Sequence, residues 1–322
     1  MSKIKKNDHY YLIDGSGYIF RAYYALPPMT NPEGIPINAV YGFMNMMVKL
    51  VDDFRPKNIA VAFDFARETF RNKIFQDYKS NRTAPPEDLI PQFSLIKKAT
   101  EALGLPILEL EGYEADDLIA TYQGMAHKEK RKVVIVSSDK DLMQLIDDNT
   151  VMLDPMKQTW IDEEKVVEKF GVKPDKVIDV QSLAGDTSDN VPGVPGIGIK
   201  IAAELINHFG SLDQVFLRTS EIKQNKRREN LDFYKDQALI SKKLVTLKKD
   251  VPIEKSVSNL DFNLDFSSPT LINFIKHHNF KRLLDRLESY PKGDQVTNFS
   301  NDQKIIKNSN FKDRNKNYKL IT

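Results

Sequence analysis

Cysteine is missing altogether from this 322-residue chain, tryptophan occurs once and histidine only five times. Without cysteine there is no disulfide, no thiolate metal site and no thiol nucleophile, which fits a reducing cytoplasm. With so few histidines, two of them adjacent at His277 and His278, any bound metal must be held by oxygen. Oxygen ligands favour Mg²⁺ or Mn²⁺ over Zn²⁺. No apolar run approaches the ~20 residues of a membrane helix, and the opening Met1-Ser-Lys-Ile-Lys-Lys lacks the apolar stretch of a signal peptide. A membrane partner is therefore not expected.

What is present suits a globular protein. Hydrophobic residues make up 41% of the chain, enough for one large domain and a smaller unit. The net charge of +2 is unremarkable but unevenly spread. Between Arg218 and Lys249 ten Lys/Arg face four Asp/Glu, a local balance of +6. A run such as Lys226-Arg-Arg228 is most often a solvated helix face; beside a phosphate site it reads as an electrostatic footprint.

Apolar runs alternate with helical stretches, the pattern of an α/β domain with a mostly parallel sheet flanked by helices. Strands are expected at Tyr10–Ile13, Ile59–Phe63, Pro106–Glu109 and Val133–Val136. Helices are expected over Asn38–Phe54, Arg67–Tyr78, Asp88–Leu103 and Glu114–Ala126. After Leu153 the pattern turns to helices, including Pro174–Ala184 and Lys200–Phe209. From about Gly293 the periodicity fades into Asn, Lys and Asp, so a loosely ordered tail is expected. Its last residues, Tyr318-Lys-Leu-Ile321, look like the start of another strand.

The acidic residues fall where such a sheet places ligands, beyond the carboxyl ends of its strands. Asp14 follows the first strand and Asp64 the second. Glu114, Asp116 and Asp117 open a helix, and Asp139 and Asp141 follow Val133–Val136. Two more stand in Leu183-Ala-Gly-Asp-Thr-Ser-Asp-Asn-Val-Pro-Gly-Val-Pro-Gly-Ile-Gly198. There Asp186 and Asp189, three apart, would face the same way on a helical turn and could grip one cation. The following hairpin of Gly193, Gly196 and Gly198 would offer bare backbone N–H groups to a phosphate. Singly, each carboxylate has a bland explanation as a helix cap, a dipole partner or a turn residue. Nine of them from five segments would repel one another unless cations neutralised them. Clustered carboxylates beside a phosphate cradle are what two-metal phosphodiester hydrolysis requires.

These residues resemble the 5′-nuclease domain found at the front of bacterial DNA polymerase I, within the flap-endonuclease (PIN-like) superfamily. The matching stretches are Asp14-Gly-Ser-Gly-Tyr-Ile-Phe-Arg-Ala-Tyr23, Ala39-Val-Tyr-Gly-Phe43, Phe63-Asp-Phe-Ala66 and Thr69-Phe-Arg71. With them go Tyr78-Lys-Ser-Asn-Arg82, Gly112-Tyr-Glu-Ala-Asp-Asp-Leu118, Ser138-Asp-Lys-Asp-Leu142 and the Asp186 segment. Together they cover about Tyr10 to Glu288 in family order.

The resemblance implies a catalytic PIN-like domain over residues 1–170 and a helical DNA-binding region over 171–290 with a helix–hairpin–helix. Residues 291–322 would be a polar tail. It assigns Asp14, Asp64, Glu114 and Asp116, with Asp117 alongside, to a first metal. Asp139, Asp141, Asp186 and Asp189 go to a second, both ions being Mg²⁺ or Mn²⁺. A helical arch over about residues 70–91 would admit a single-stranded 5′ end. On it Lys79 and Arg82 would stabilise the scissile phosphate, Arg71 would make a further phosphate contact, and Tyr78 would stack on the terminal base. Arg21 would reach toward the substrate. Gly193, Gly196, Gly198 and Lys200 would hold duplex backbone, around a K⁺ in the family's fashion. Relatives usually read Lys-Thr after the hairpin, whereas this chain reads Lys200-Ile201 and lacks the hydroxyl.

The implied activity is 5′→3′ exonuclease and 5′-flap endonuclease on flaps, nicks, 5′ ends and RNA–DNA primer junctions. The expected protein is a cytoplasmic, nucleoid-associated monomer, with a polymerase in the same or another chain. Two other classes compete. A Mg²⁺-dependent aspartyl phosphatase would need an acid two residues after its nucleophile, and after Asp14 that place is Ser16. A DNA-binding module that had lost the chemistry would typically lack several carboxylates or the arch lysine, and none is missing here.

Overall fold

The computed structural model describes residues 9–289 apart from 255, 261, 263 and 264. The expected tail, with its strand at Tyr318–Ile321, lies outside the described residues. Six strands form one sheet in the order β3-β2-β1-β4-β5-β6. They are β1 Tyr10–Asp14, β2 Asn58–Ala62, β3 Ile107–Leu108, β4 Val133–Val136, β5 Thr150–Asp154 and β6 Thr159–Ile161. All neighbours pair in parallel except β5 with β6. No strand is expected at β5, which ends where the expected helices begin after Leu153, and β6 lies inside that stretch. They extend the sheet because Val133–Val136 still has a free edge to pair.

β1, β2 and β4 are buried along their whole length, as strands covered on both faces must be. Side chains alternate between two cores. Tyr10, Leu12, Val133 and Ile135 face one side, where they meet α5 (Ala115–Lys128). Tyr11, Ile13, Val134 and Val136 face the other, packed by α1 (Gly15–Ala25), α2 (Asn38–Phe54) and α4 (Ile90–Ala102). The first core runs on without a break into helices α6 (Glu163–Phe170), α7 (Val177–Ala184), α8 (Ile199–Phe209) and α9 (Leu212–Leu217). α10 (Asn225–Phe233) and α11 (Lys235–Val245) complete that helical region, with α11 lying against α7. The second core receives α12 (Pro269–His277) and α13 (Lys281–Glu288).

The expected helix over Arg67–Tyr78 shrinks to α3, Phe70–Ile74. Thr69 caps it, accepting from the Arg71 N–H at 3.3 Å, and Phe75 ends it in extended backbone. Residues 76–81 are turns, Lys79 takes a left-handed φ of 55°, and no helix resumes before Ile90. The segment expected to be a helical arch is here a strap of turns, held by side chains from elsewhere in the chain.

Candidate active site

β1 is the strand at which the chain reverses its direction of sheet growth. β2 and β3 are added on one side of it, then β4, β5 and β6 on the other. A crevice opens at the carboxyl ends of strands beside such a switch point. Asp14 ends β1 in that crevice and caps α1, its Oδ1 accepting from the Gly17 N–H at 3.1 Å. Its Oδ2 accepts from the Ser137 hydroxyl, just past β4, at 2.8 Å. Burial pushes Asp14 up to about 6; the two hydrogen bonds oppose this, and the charges of Asp139 and Asp64 add to it. Asp64, beyond β2, accepts from the Ala115 N–H at 2.9 Å and so ties the second strand to the start of α5. Asp116, in the first turn of that helix, is raised well above the carboxylate range by burial and then by Asp139 and Asp14.

Past β4, Asp139 accepts from the Asp141 N–H at 2.9 Å. Asp141 is pushed up to about 7, by burial first and then by Asp139 and Asp186. Asp186 and Asp189 do not lie on a helical turn. α7 ends at Ala184, and the pair occupies a tight loop closed by two hydrogen bonds between Asp186 and Val191, of 2.9 and 2.7 Å. Burial disfavours the Asp186 charge, yet Lys140 at 2.6 Å and both the N–H and hydroxyl of Ser188 hold its carboxyl below the usual range.

Asp14, Asp139, Asp141, Asp186 and Asp189 line one cleft of about 350 Å³, with Arg82, Lys140 and Lys169 on its walls. Among the described residues no three acidic or histidine side chains already close around one point. Cationic side chains stand between them instead. Lys79 Nζ lies 2.9 Å from Glu114 and 3.6 Å from Asp189, and Arg82 pairs with Asp189. The strap is also stitched to the Asp186–Val191 loop. The Lys79 N–H donates to the Asp189 carbonyl at 2.9 Å, Asn81 to that of Thr187 at 2.7 Å, and Asn190 to that of Asp77 at 2.7 Å. The donor set is wholly oxygen, and lysine and arginine relieve its repulsion. Both features fit a hard divalent cation.

Three sequence-based expectations change. Arg71 is 1% exposed and cannot reach a phosphate. Its guanidinium clasps both oxygens of Asp117 at 2.7 and 2.8 Å, and its Nε donates to the Leu244 carbonyl at 2.7 Å. Asp117, itself 0% exposed, also accepts from the N–H groups of Glu114 at 3.1 Å and Lys248 at 2.9 Å. With its oxygens fully engaged, Asp117 is a structural anchor rather than a ligand in waiting. Tyr78 is buried as well, its hydroxyl 3.3 Å from Glu114 and its ring packed near Val191 and Leu244, so it offers no stacking face here.

The hairpin divides in the same way. Gly193 is buried, its N–H donating to the Ser241 hydroxyl at 3.0 Å and its carbonyl accepting from Gln237 at 2.7 Å. A Cβ there would come within 2.4 Å of the Gly185 nitrogen, so this glycine serves packing and offers no bare amide. Gly196 and Gly198 are exposed, and Gly198 precedes α8 with Lys200 in its first turn. Arg21 is exposed on α1, one turn beyond Gly17 at the cleft rim. Sequence reasoning missed Ser137, Lys140, Lys169 and Gln181. Lys140 sits inside the Asp139–Asp141 motif, whereas Lys169 comes from α6 and carries no local signal.

The chain is similar to known proteins along most of its length. The family model described as the 5′-3′ exonuclease N-terminal resolvase-like domain matches residues 9–171, and the 5′-3′ exonuclease C-terminal SAM fold matches 172–265. DNA polymerase I of Rhizobium leguminosarum is 49% identical over 294 residues, which are 89% of this chain and 29% of the relative. The chain thus spans under a third of that relative's length. A 5′-3′ exonuclease of Aquifex aeolicus is 39% identical over 250 residues, 78% of this chain and 85% of the relative. A structure of the bacteriophage T5 flap endonuclease with DNA and metal ions shares the fold at a TM-score of 0.63 and 19% identity, covering 86% of this chain and 95% of that one. With its mostly parallel sheet, its carboxylates at the switch point and both family models matched in order, the chain belongs to the 5′-3′ exonuclease family.

Proposed function

We propose that this protein is a structure-specific 5′→3′ exonuclease and 5′-flap endonuclease that hydrolyses phosphodiesters with two Mg²⁺ or Mn²⁺ ions. The observation that carries the reading is the convergence of carboxylates from separate segments on one cleft, beside a strap that brings two cationic side chains to it. Asp14, Asp64, Glu114 and Asp116 would hold the first ion, and Asp139, Asp141, Asp186 and Asp189 the second. When bound, such a pair activates the attacking water and stabilises the leaving oxygen. Lys79 and Arg82, now engaged by Glu114 and Asp189, would exchange those carboxylates for a non-bridging oxygen of the scissile phosphate. For a 5′ end to pass beneath it, the strap must leave the Asp186–Val191 loop and admit the strand.

The backbone at the exposed Gly196 and Gly198 and the Lys200 side chain would hold the duplex backbone away from the cut, with K⁺ a candidate ion there. Arg21 would contact the strand at the rim. Substrates would be DNA with 5′ flaps, nicks or 5′ ends and RNA–DNA primer junctions. The similarity to the front of a polymerase favours a polymerase as functional partner, in the same or another chain. No helix among the described residues is long and apolar enough to cross a membrane. We place the activity at the nucleoid in the cytoplasm.

The test is cleavage of an end-labelled 5′-flap duplex with and without Mg²⁺. Metal-dependent release of the flap is expected, and Asp116→Ala or Asp186→Ala should abolish it with a smaller loss of DNA binding. Undiminished turnover by either variant, in EDTA-rinsed protein given back Mg²⁺, would sink the assignment. Binding without any cleavage would favour an inactive DNA-binding module.

A further inference from the structure

Gln181 is 2% exposed on α7, and its two polar ends have different fates. Its Nε2 donates to Asp141 Oδ1 at 2.6 Å, while its Oε1 is buried with no partner among the described residues. Buried acceptors left without a partner are rare in native proteins and call for a reason. Here the reason is what the other end of the amide holds.

The backbone of Gln181 belongs to the same corner of the site. Its carbonyl accepts from the Gly185 N–H at 2.8 Å, closing α7 immediately before Asp186. One residue therefore joins the loop after β4, through Asp141, to the Asp186–Val191 loop. The other anchors of Asp141 act on its main chain: its N–H donates to Asp139, and its carbonyl accepts from Gln144 Nε2 at 2.9 Å. A neutral amide can fix the direction of a carboxylate without cancelling the charge that a cation would use, unlike the Lys140 ammonium on Asp186.

We propose that Gln181 is a positioning residue for the second metal: it aims Asp141 and sets its separation from Asp186. This rests on the metal-dependent nuclease reading and concerns a residue which that reading leaves without a role. Gln181→Met removes the donor and the orphaned acceptor at nearly constant volume.

The experiment follows Mn²⁺ binding to the full chain by electron paramagnetic resonance, alongside flap cleavage and thermal unfolding of the metal-free protein. In Gln181→Met the weaker Mn²⁺ site should lose roughly 10-fold or more in affinity, the scale of outer-shell changes at metal sites. Turnover should fall at limiting Mn²⁺, flap-duplex affinity without metal should stay within about twofold, and Tm should not drop. Gln181→His keeps a neutral N–H donor at a similar reach and should recover Mn²⁺ affinity, and turnover at limiting Mn²⁺, relative to Gln181→Met. Unchanged Mn²⁺ binding in Gln181→Met overturns the inference, as does a fall in activity matched by a fall in Tm, or a histidine variant no better than the methionine one. A wild type that neither binds Mn²⁺ nor cleaves would fail the nuclease reading itself, a result distinguishable from these.

Discussion

Replacing Arg71 separates a structural role from a phosphate contact. In Arg71→Ala the mutant loses two charge-assisted bonds to Asp117, one to the Leu244 carbonyl and a longer one of 3.3 Å to that of Thr246. Asp117 would then be a carboxylate with 0% exposure, supported only by the N–H groups of Glu114 and Lys248. Breaking a buried pair from one side costs about 3–5 kcal/mol, because the remaining charge is uncompensated. For a chain of this size that corresponds to a fall in Tm of roughly 4–8 °C. The damage should spread in two directions. Asp117 organises the start of α5, where Glu114 and Asp116 stand, and Arg71 straps the end of α11, whose Gln237 and Ser241 hold Gly193. The assay is thermal unfolding of Arg71→Ala and of the double variant Arg71→Met/Asp117→Leu, with the salt dependence of flap binding measured on each. The single variant should be strongly destabilised, the double variant should recover most of the loss, and the salt slope should match wild type. A stable Arg71→Ala protein whose log–log salt slope drops by about one would refute this and restore Arg71 as a phosphate contact.

Lys79→Ala should slow single-turnover cleavage by two to three orders of magnitude while changing flap affinity several-fold at most, the scale of losing one charged donor to a developing anion. An effect confined to binding would remove Lys79 from the chemistry. In metal-free protein, burial raises Asp14 to about 6 and Asp141 to about 7 from 3.8. A carboxyl raised on folding stabilises most below its unfolded pKa, and that contribution is lost as pH climbs through 6 and 7. Asp186 works in the opposite sense, its lowered pKa costing stability as pH falls below 3.8. Tm of EDTA-treated protein should therefore decline between pH 5 and 8, and Mg²⁺ should restore it at the upper end; a flat profile would contradict the crowding of buried carboxylates. Flap affinity should fall steeply with salt because backbone phosphates supply most contacts, and a flat dependence would argue against duplex held by the hairpin and the basic α10–α11 segment.

The strands at Tyr10, Asn58 and Val133 were legible because buried parallel strands are continuous apolar runs, and acids directly after them mark the carboxyl edge. β5 and β6 were not legible, since whether a short mixed segment joins a sheet depends on the free edge it meets. The same limit applies to side chains. Sequence by itself determined the donor chemistry: oxygen only, in a cluster needing cations, because no thiol and few imidazoles exist to hold anything. It could not tell which acids face the cleft. Arg71 and Asp117 look like site residues until folding buries them against each other, and Gly193 looks like a bare amide until Ser241 takes its N–H. Only the tertiary structure decided this, because Leu244 lies 173 residues from Arg71, and Gln181 lies 40 from Asp141. A side chain's role follows from its partners in space, and at such separations local sequence pattern does not specify them.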